Sequence, residues 1–236
     1  MQNELNKTEK GHIHPLNRIT DEMVKVFTDM DFQVVTCNES DDEYHNFDAL
    51  GVAEDHPARD MQDTFWLKDF PKNLMRTQTS NSQIHFMENN KPPFKIVAPG
   101  KVYRYEATDK THEVQFFQLE GLVVGENISM ANLKFALNSF IKSIFGEDVE
   151  IRMRPGYFPF VEPGVEIDMR KKNGEWMEVL GAGMVNKQVL NNVGIDPNKY
   201  QGFAFGVGVD RVAMLKYGLD DIRTLYQGDL RLINQF

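Results

Sequence analysis

Apolar residues at Leu16, Ile19, Met23, Val26, Phe27 and Met30 recur at the three- and four-residue spacing that gathers them on one face of a helix. Pro15 suits the first turn of that helix, where a missing N–H costs nothing. A short strand is predicted over 32–36. Periodicity then disappears. Residues 38–66 are acidic and irregular, with Asp41, Asp42, Glu43, His45, Asp48, His56, Arg59 and Asp63 among scattered aromatics. The stretch reads as a surface loop, and structureless loops beyond about 12 to 15 residues tend to be functional or disordered.

Residues 75–87 open with Arg-Thr-Gln-Thr-Ser and continue as a helix capped by Thr79 or Ser80. Two apolar runs, 95–105 and 116–124, flank the polar stretch 106–115 and predict an antiparallel hairpin with a long mobile loop. A further helix over 128–145 follows from Met130, Leu133, Leu137, Phe140, Ile141 and Ile144. Strands are predicted around 151–154, 165–169 and 176–181, then a helix over 185–193. A glycine-punctuated strand, 202–209, feeds a last helix, 211–217, which Gly218 should stop. Strands and helices do not alternate, so the pattern favours an α+β fold, an antiparallel sheet flanked by helices, over a doubly wound parallel one. No repeat, low-complexity run or linker divides the chain. One domain over 11–236 after a tail of residues 1–10 is expected.

The composition narrows the class. With 236 residues, 41% hydrophobic and 26% charged, the chain can bury a core without staples, and its 17 Phe set it apart. The single Cys37 rules out an internal disulfide or a cysteine-rich zinc site. Residues 1–11 carry neither a signal peptide nor a transit segment, and no run approaches the roughly 20 apolar residues of a membrane span. A cytoplasmic protein is expected. A net charge of -9 argues against independent grip on a nucleic-acid backbone. If RNA is a substrate, its large contacts are expected from a partner or from segments outside this chain.

No Walker loop, Rossmann fingerprint, nucleophile elbow or metalloprotease helix is present. What stands out is a pair of arginines, Arg104 and Arg211, each at the end of an apolar strand. Guanidinium forks can clamp a nucleotide without a glycine-rich loop, and a structural ion pair is the plainer alternative. Gln118 and Glu120, two apart on one strand, project from one face, with Phe117, Leu119 and Gly121 on the other. If buried they need partners, such as a ligand ammonium; a solvated face is the other reading. Tyr157-Phe158-Pro159-Phe160 places aromatics where they serve either a core or a flat apolar ligand, beside a turn at Glu162-Pro163-Gly164.

Together these residues resemble the three signature motifs of class II aminoacyl-tRNA synthetases, and in detail the alpha chains of bacterial phenylalanyl-tRNA synthetases. The likeness runs through Gly11-His12-Ile13-His14-Pro15, His45-Asn46-Phe47-Asp48-Ala49-Leu50, His56-Pro57-Ala58-Arg59, Asp63-Thr64-Phe65-Trp66 and Arg76-Thr77-Gln78-Thr79-Ser80. It continues through Val102-Tyr103-Arg104, Thr111-His112-Glu113, Gln118-Leu119-Glu120-Gly121, Tyr157-Phe158-Pro159-Phe160 and Gly202-Phe203-Ala204-Phe205-Gly206 into Arg211.

The resemblance implies a ligase that activates phenylalanine with ATP and passes it to the acceptor end of tRNA(Phe). Arg104 would hold the α-phosphate and Arg211 the γ-phosphate, with Glu106 and His112 seating the nucleotide and Phe116 stacking on adenine. Ser80, Gln118 and Glu120 would fix the ends of the amino acid, Phe158 and Phe160 would meet its ring, and Ala204 would floor the para position. Such a floor offers tyrosine's hydroxyl no partner and should disfavour it by roughly several kcal/mol. Mg2+ would neutralise the triphosphate, and Glu162 would bind a magnesium shared with a beta subunit in an (αβ)2 heterotetramer.

Three departures stand out: Phe117 replaces a common His, Asn186 another, and Gln62 stands where relatives carry an aromatic or a His. Only about ten residues precede the first motif, where family alpha chains begin with a long coiled coil, so a trimmed or naturally short form is expected. No anticodon-binding domain is expected to follow, and by the resemblance the two-subunit type is expected. A non-catalytic or tRNA-independent paralogue is the alternative, although Arg104, Glu120 and Arg211 are all retained.

Overall fold

The computed structural model describes residues 11–59 and 63–236. Helix α1, Pro15–Thr28, buries Leu16, Ile19, Met23 and Phe27, the face its spacing predicts, and the His14 ring caps it by accepting from Leu16 N–H. The strand expected over 32–36 shrinks to β1, Gln33–Val34, an exposed edge. The hairpin predicted from the two apolar runs forms as β4, Phe94–Tyr103, and β5, Gln115–Gly125. Helix α3, Met130–Phe145, begins at a capping box between Ser129 and Asn132.

Residues 38–66 depart most from expectation. They contribute β2, Ser40–Asp42, and a π-helical turn, Tyr44–Asp48; β2 pairs with β3, Asn73–Met75. Order there comes from partners distant in sequence. The buried Arg59 donates to Asp48 (2.6 Å) and Glu43 (3.2 Å), and its guanidinium lies 5.0 Å from the Phe47 ring centre. Helix α2 spans Ser80–Asn89.

The strands read around 151–154, 165–169 and 176–181 are longer: β6, Glu150–Phe158, β7, Val161–Arg170, and β8, Met177–Val185. The tight turn lies at Pro159-Phe160, and Glu162-Pro163-Gly164 belongs to β7. Because β8 runs to Val185, the helix expected over 185–193 starts later, as α4, Lys187–Asn192, capped by the Asn186 side chain. β9, Gln201–Gly208, leads into α5, Val209–Tyr217, which ends at left-handed Gly218. A 3-10 turn, Ile222–Leu225, and α6, Leu230–Ile233, follow; periodicity gave no sign of either.

Seven strands form one sheet in the order β1-β4-β5-β9-β8-β7-β6, antiparallel throughout except for β1 beside β4. The α+β, mostly antiparallel architecture agrees with the sequence. Alternation on the central strands separates two cores. Leu119, Val123, Phe203, Phe205 and Val207 pack with α1, α3 and α5, whereas Leu122, Val124 and Ala204 pack with Phe47, Leu50 and α2. Gly121 lies directly under the Phe205 ring, where any Cβ would collide with it. Among the described residues no helix is long and apolar enough to cross a membrane.

Candidate active site

The face of β5 carrying Gln118, Glu120 and Leu122 lies opposite Gly208, Gly206 and Ala204 of β9 in register. On the far side of β9, Gly181 and Gly183 of β8 pair with Gly206 and Ala204. The result is a floor of small residues from which two carbonyl-bearing side chains rise. Gly181 is required there for a physical reason: a Cβ would stand 2.7 Å from Phe158 Cζ, so the ring could not lie against the strand.

Over this floor sits a cavity of about 330 Å3. One end is apolar, with Leu122, Phe158, Phe160, Val185, Val189 and Ala204. Phe158 and Phe160 stack at 6.1 Å between ring centres. The other end is polar, with Gln78, Ser80, Gln83, Arg104, Gln118 and Glu120. Glu120 is buried, which excludes the solvated-face reading. Its carboxylate accepts from the Ser80 hydroxyl, from Thr79 N–H (3.0 Å) and from Gln83 Nε2 (3.0 Å), all at the start of α2. Burial raises its pKa against the pull of these donors and of Arg104. Oε1 accepts from Thr79 N–H, and Gln118 Oε1 is buried without a hydrogen-bond partner among the described residues. The Gln118 oxygen is left to accept from a ligand donor, such as an ammonium.

A second cavity, about 530 Å3, joins the first; Arg104, Gln118, Phe158, Gly181 and Gly206 line both. Glu106, His112, Phe116, Asp210 and Arg211 line it further out. Arg104 is half-buried, its Nε donates to Thr77 O (3.3 Å), and its guanidinium carbon lies 5.0 Å from the Phe116 ring centre. Burial lowers its pKa. Arg211, at the start of α5, is exposed and makes a long contact from Nε to Glu178 O (3.5 Å). Neither arginine pairs with a carboxylate among the described residues, whereas Arg59, Arg152, Arg154, Arg170, Arg223 and Arg231 all do. The structural-ion-pair reading therefore fails for both. His112 is exposed in the β4–β5 loop, its Nδ1 held by Asp109 (3.0 Å).

Of the residues singled out from sequence, Ser80, Arg104, Glu106, His112, Phe116, Gln118, Glu120, Phe158, Phe160, Ala204 and Arg211 all line these joined cavities. Glu162 does not; it is exposed on β7 and lies outside both. Phe117 packs at the edge of the opposite core and Asn186 caps α4, so both departures sit off the cavity floor. Gln62 and the residue 1–10 tail lie outside the described residues.

Three contributors escaped the sequence reading. Gln83 falls one helical turn after Ser80, a spacing that could have revealed it. Gln78 lies in the Arg-Thr-Gln-Thr-Ser run. Asp210, next to Arg211, is buried and accepts from Phe117 N–H (2.7 Å) and the Tyr226 hydroxyl; burial pushes its carboxyl up to about 6.

Residues 1–236 match the family described as tRNA synthetases class II core domain (F). The chain is 50% identical over 230 residues to the phenylalanine–tRNA ligase alpha subunits of Shewanella sediminis and Klebsiella pneumoniae, covering 98% of this chain and 69% of each relative. It is 51% identical over 228 residues to that of Pectobacterium atrosepticum, covering 97% of this chain and 69% of the relative. Among solved structures, pyrrolysyl-tRNA synthetase from Desulfitobacterium hafniense superposes with a TM-score of 0.72 at 16% identity, covering 95% of this chain and 76% of that one. At that identity the likeness is one of fold.

Proposed function

Because the chain belongs to the class II tRNA synthetase core family, and within it to the phenylalanine–tRNA ligase alpha subunits, we propose that its joined cavities are the sites of phenylalanine and ATP. The observation that carries this is the junction itself. A pocket with apolar walls and two carbonyl or carboxylate oxygens, on Gln118 and Glu120, opens through Arg104 and Gln118 onto a larger cavity holding a second guanidinium that has no carboxylate partner among the described residues.

The reaction is activation of phenylalanine followed by transfer to tRNA(Phe). The phenylalanine carboxylate attacks the α-phosphate; the bond from phosphorus to the bridging oxygen breaks, and pyrophosphate leaves as the phenylalanyl-adenylate forms. A hydroxyl of the terminal tRNA adenosine then attacks the acyl carbon and AMP departs. Gln118 Oε1 and Glu120 Oε1 hold the ammonium, while the Ser80 side of the pocket faces the carboxylate end. Phe158 and Phe160 meet the ring, and Ala204 lies under its para position.

Arg104 bonds the α-phosphate, where charge builds on bond cleavage, so catalysis is positioning plus electrostatic stabilisation. Arg211 holds the γ-phosphate, Glu106 and His112 seat the nucleotide, and adenine stacks on Phe116. Glu106, Glu113 and Glu178 add carboxylates to the same cavity, an oxygen donor set that suits the hard Mg2+ ion. Magnesium, when bound with ATP, neutralises the triphosphate. The exposed Glu162 is free to share a further magnesium with a beta subunit.

Residues 11–236 act as the catalytic domain, in the cytoplasm, within an (αβ)2 heterotetramer that supplies most of the tRNA contact. Amino-acid-dependent ATP–pyrophosphate exchange across all twenty amino acids, without and with a bacterial beta subunit, tests the reading. Exchange with phenylalanine alone is expected. A folded protein silent in both arms would mark a non-catalytic paralogue.

A further inference from the structure

On the back of α2, away from the cavities, four segments bring metal-ligating side chains together. Cys37 follows β1, Asp41 and Asp42 lie on β2, His45 is in the π-helical turn, and His85 and Glu88 are on α2. One ligand atom each from Cys37, Asp41 and His85 lies within 4.8 Å of the others, and the same holds for His45, His85 and Glu88, and for Asp41, Asp42 and His45. We propose that this cluster is a site for a zinc-type divalent cation, with Cys37 Sγ, an Asp41 oxygen and a His85 nitrogen as its core ligands and the His45 ring or a solvent oxygen as the fourth.

The donor set decides the class of metal. A thiol, an imidazole and a carboxylate suit a borderline cation such as Zn2+ and not Mg2+, which favours oxygen donors. Tetrahedral bonds of about 2.0 to 2.3 Å place ligand atoms roughly 3.3 to 3.8 Å apart, so the Asp41–His85 pair need only open and the Asp41–Cys37 pair close by fractions of an ångström. Asp41 Oδ2 already stands 2.8 Å from His85 Nε2 and 3.9 Å from Cys37 Sγ.

The surroundings also fit. Asn81 Nδ2 donates to Asp41 Oδ2 (2.7 Å) and reaches Cys37 Sγ (3.4 Å), which orients two ligands at once, as outer partners of metal sites do. The His45 and His85 rings stack with centres 3.9 Å apart. Three carboxylates, Asp41, Asp42 and Glu88, stand between 2.8 and 3.8 Å from ring nitrogens of these two histidines, so a bound dication would be offset by their negative charge. On binding, the Cys37 S–H bond breaks, a sulfur–metal bond forms and one proton is released to solvent. The bound ion would tie the segment from Cys37 to His45 to the helix that presents Ser80 and Gln83 to Glu120.

Cys37 is the only cysteine of the chain, so its modification reports on the site without ambiguity. The purified full chain, stripped with chelator, is treated with a thiol reagent alone, with Zn2+ and with Mg2+. Zinc should slow labelling by about tenfold or more at one equivalent, with Mg2+ inert, and Co2+ should give a thiolate-to-metal charge-transfer band. Asn81→Ala, which keeps every ligand, should weaken zinc about ten- to hundredfold, and His85→Asn should abolish the cobalt band. Labelling of the unaltered chain that zinc leaves unchanged, or one-to-one binding that survives in folded His85→Asn, would overturn the assignment.

Discussion

The Arg104 guanidinium lies 5.0 Å from the centre of the Phe116 ring and carries no carboxylate partner among the described residues. The two residues face each other across the mouth of the β4–β5 hairpin, so the ring holds the cation in place without neutralising it. Such a cation is ready for an anion. Arg104→Lys keeps the charge but loses the planar fork and its hold on Phe116. The rate of phenylalanine-dependent pyrophosphate exchange at saturating ATP should fall on the order of 100- to 1000-fold, with phenylalanine binding little changed. An Arg104→Lys chain exchanging at the unaltered rate would remove Arg104 from the α-phosphate.

Glu120 is already satisfied on one oxygen by Ser80 and Gln83, so its spare capacity is toward the cavity. Glu120→Gln should keep the fold but lose the charged bond to the ligand ammonium, raising the KM for phenylalanine roughly ten- to hundredfold while the KM for ATP stays put. Steady-state exchange kinetics in each substrate would separate the two. Parallel rises in both constants would mean that Glu120 merely braces α2.

Ala204 lies under the apolar end of the pocket, between Leu122 and Gly183 in register. Removing its methyl deepens the floor and costs about 0.5 to 1 kcal/mol of backbone freedom. Ala204→Gly should therefore activate para-chlorophenylalanine better than the unaltered chain does, at a small loss in melting temperature. A variant that activates phenylalanine and still refuses the chloro compound would show that the para position points elsewhere.

Asp210 carries the clearest pH signature. Burial raises its carboxyl from an ordinary 3.8 to about 6, so between those values the folded chain binds more protons than the unfolded one. Its contribution is fully present below the unfolded value and is lost as pH rises through the folded one, about 3 kcal/mol in all. Urea unfolding from pH 4 to 7 should show the unaltered chain losing stability relative to Asp210→Asn across that window. Curves that run parallel at every pH would place the Asp210 titration where model peptides have it.

What sequence alone determined is whatever the local period encodes. The amphipathic α1 and α3, the β4–β5 hairpin, and the shared face of Gln118 and Glu120 follow from spacings of two, three or four residues. The family motifs named most of the residues that line the cavities for the same reason, since each is a short contiguous run. Only the tertiary structure decided what those residues meet. Sequence left the burial of Glu120 open because its donors lie about forty positions earlier on α2. Residues 38–66 looked irregular because the order of 38–59 rests on Arg59 meeting Asp48 and on His45 and Asp41 meeting partners on α2. Such pairings are fixed by where the chain returns in space, and a buried charge takes its conformation from the partner it must find, which no periodicity records.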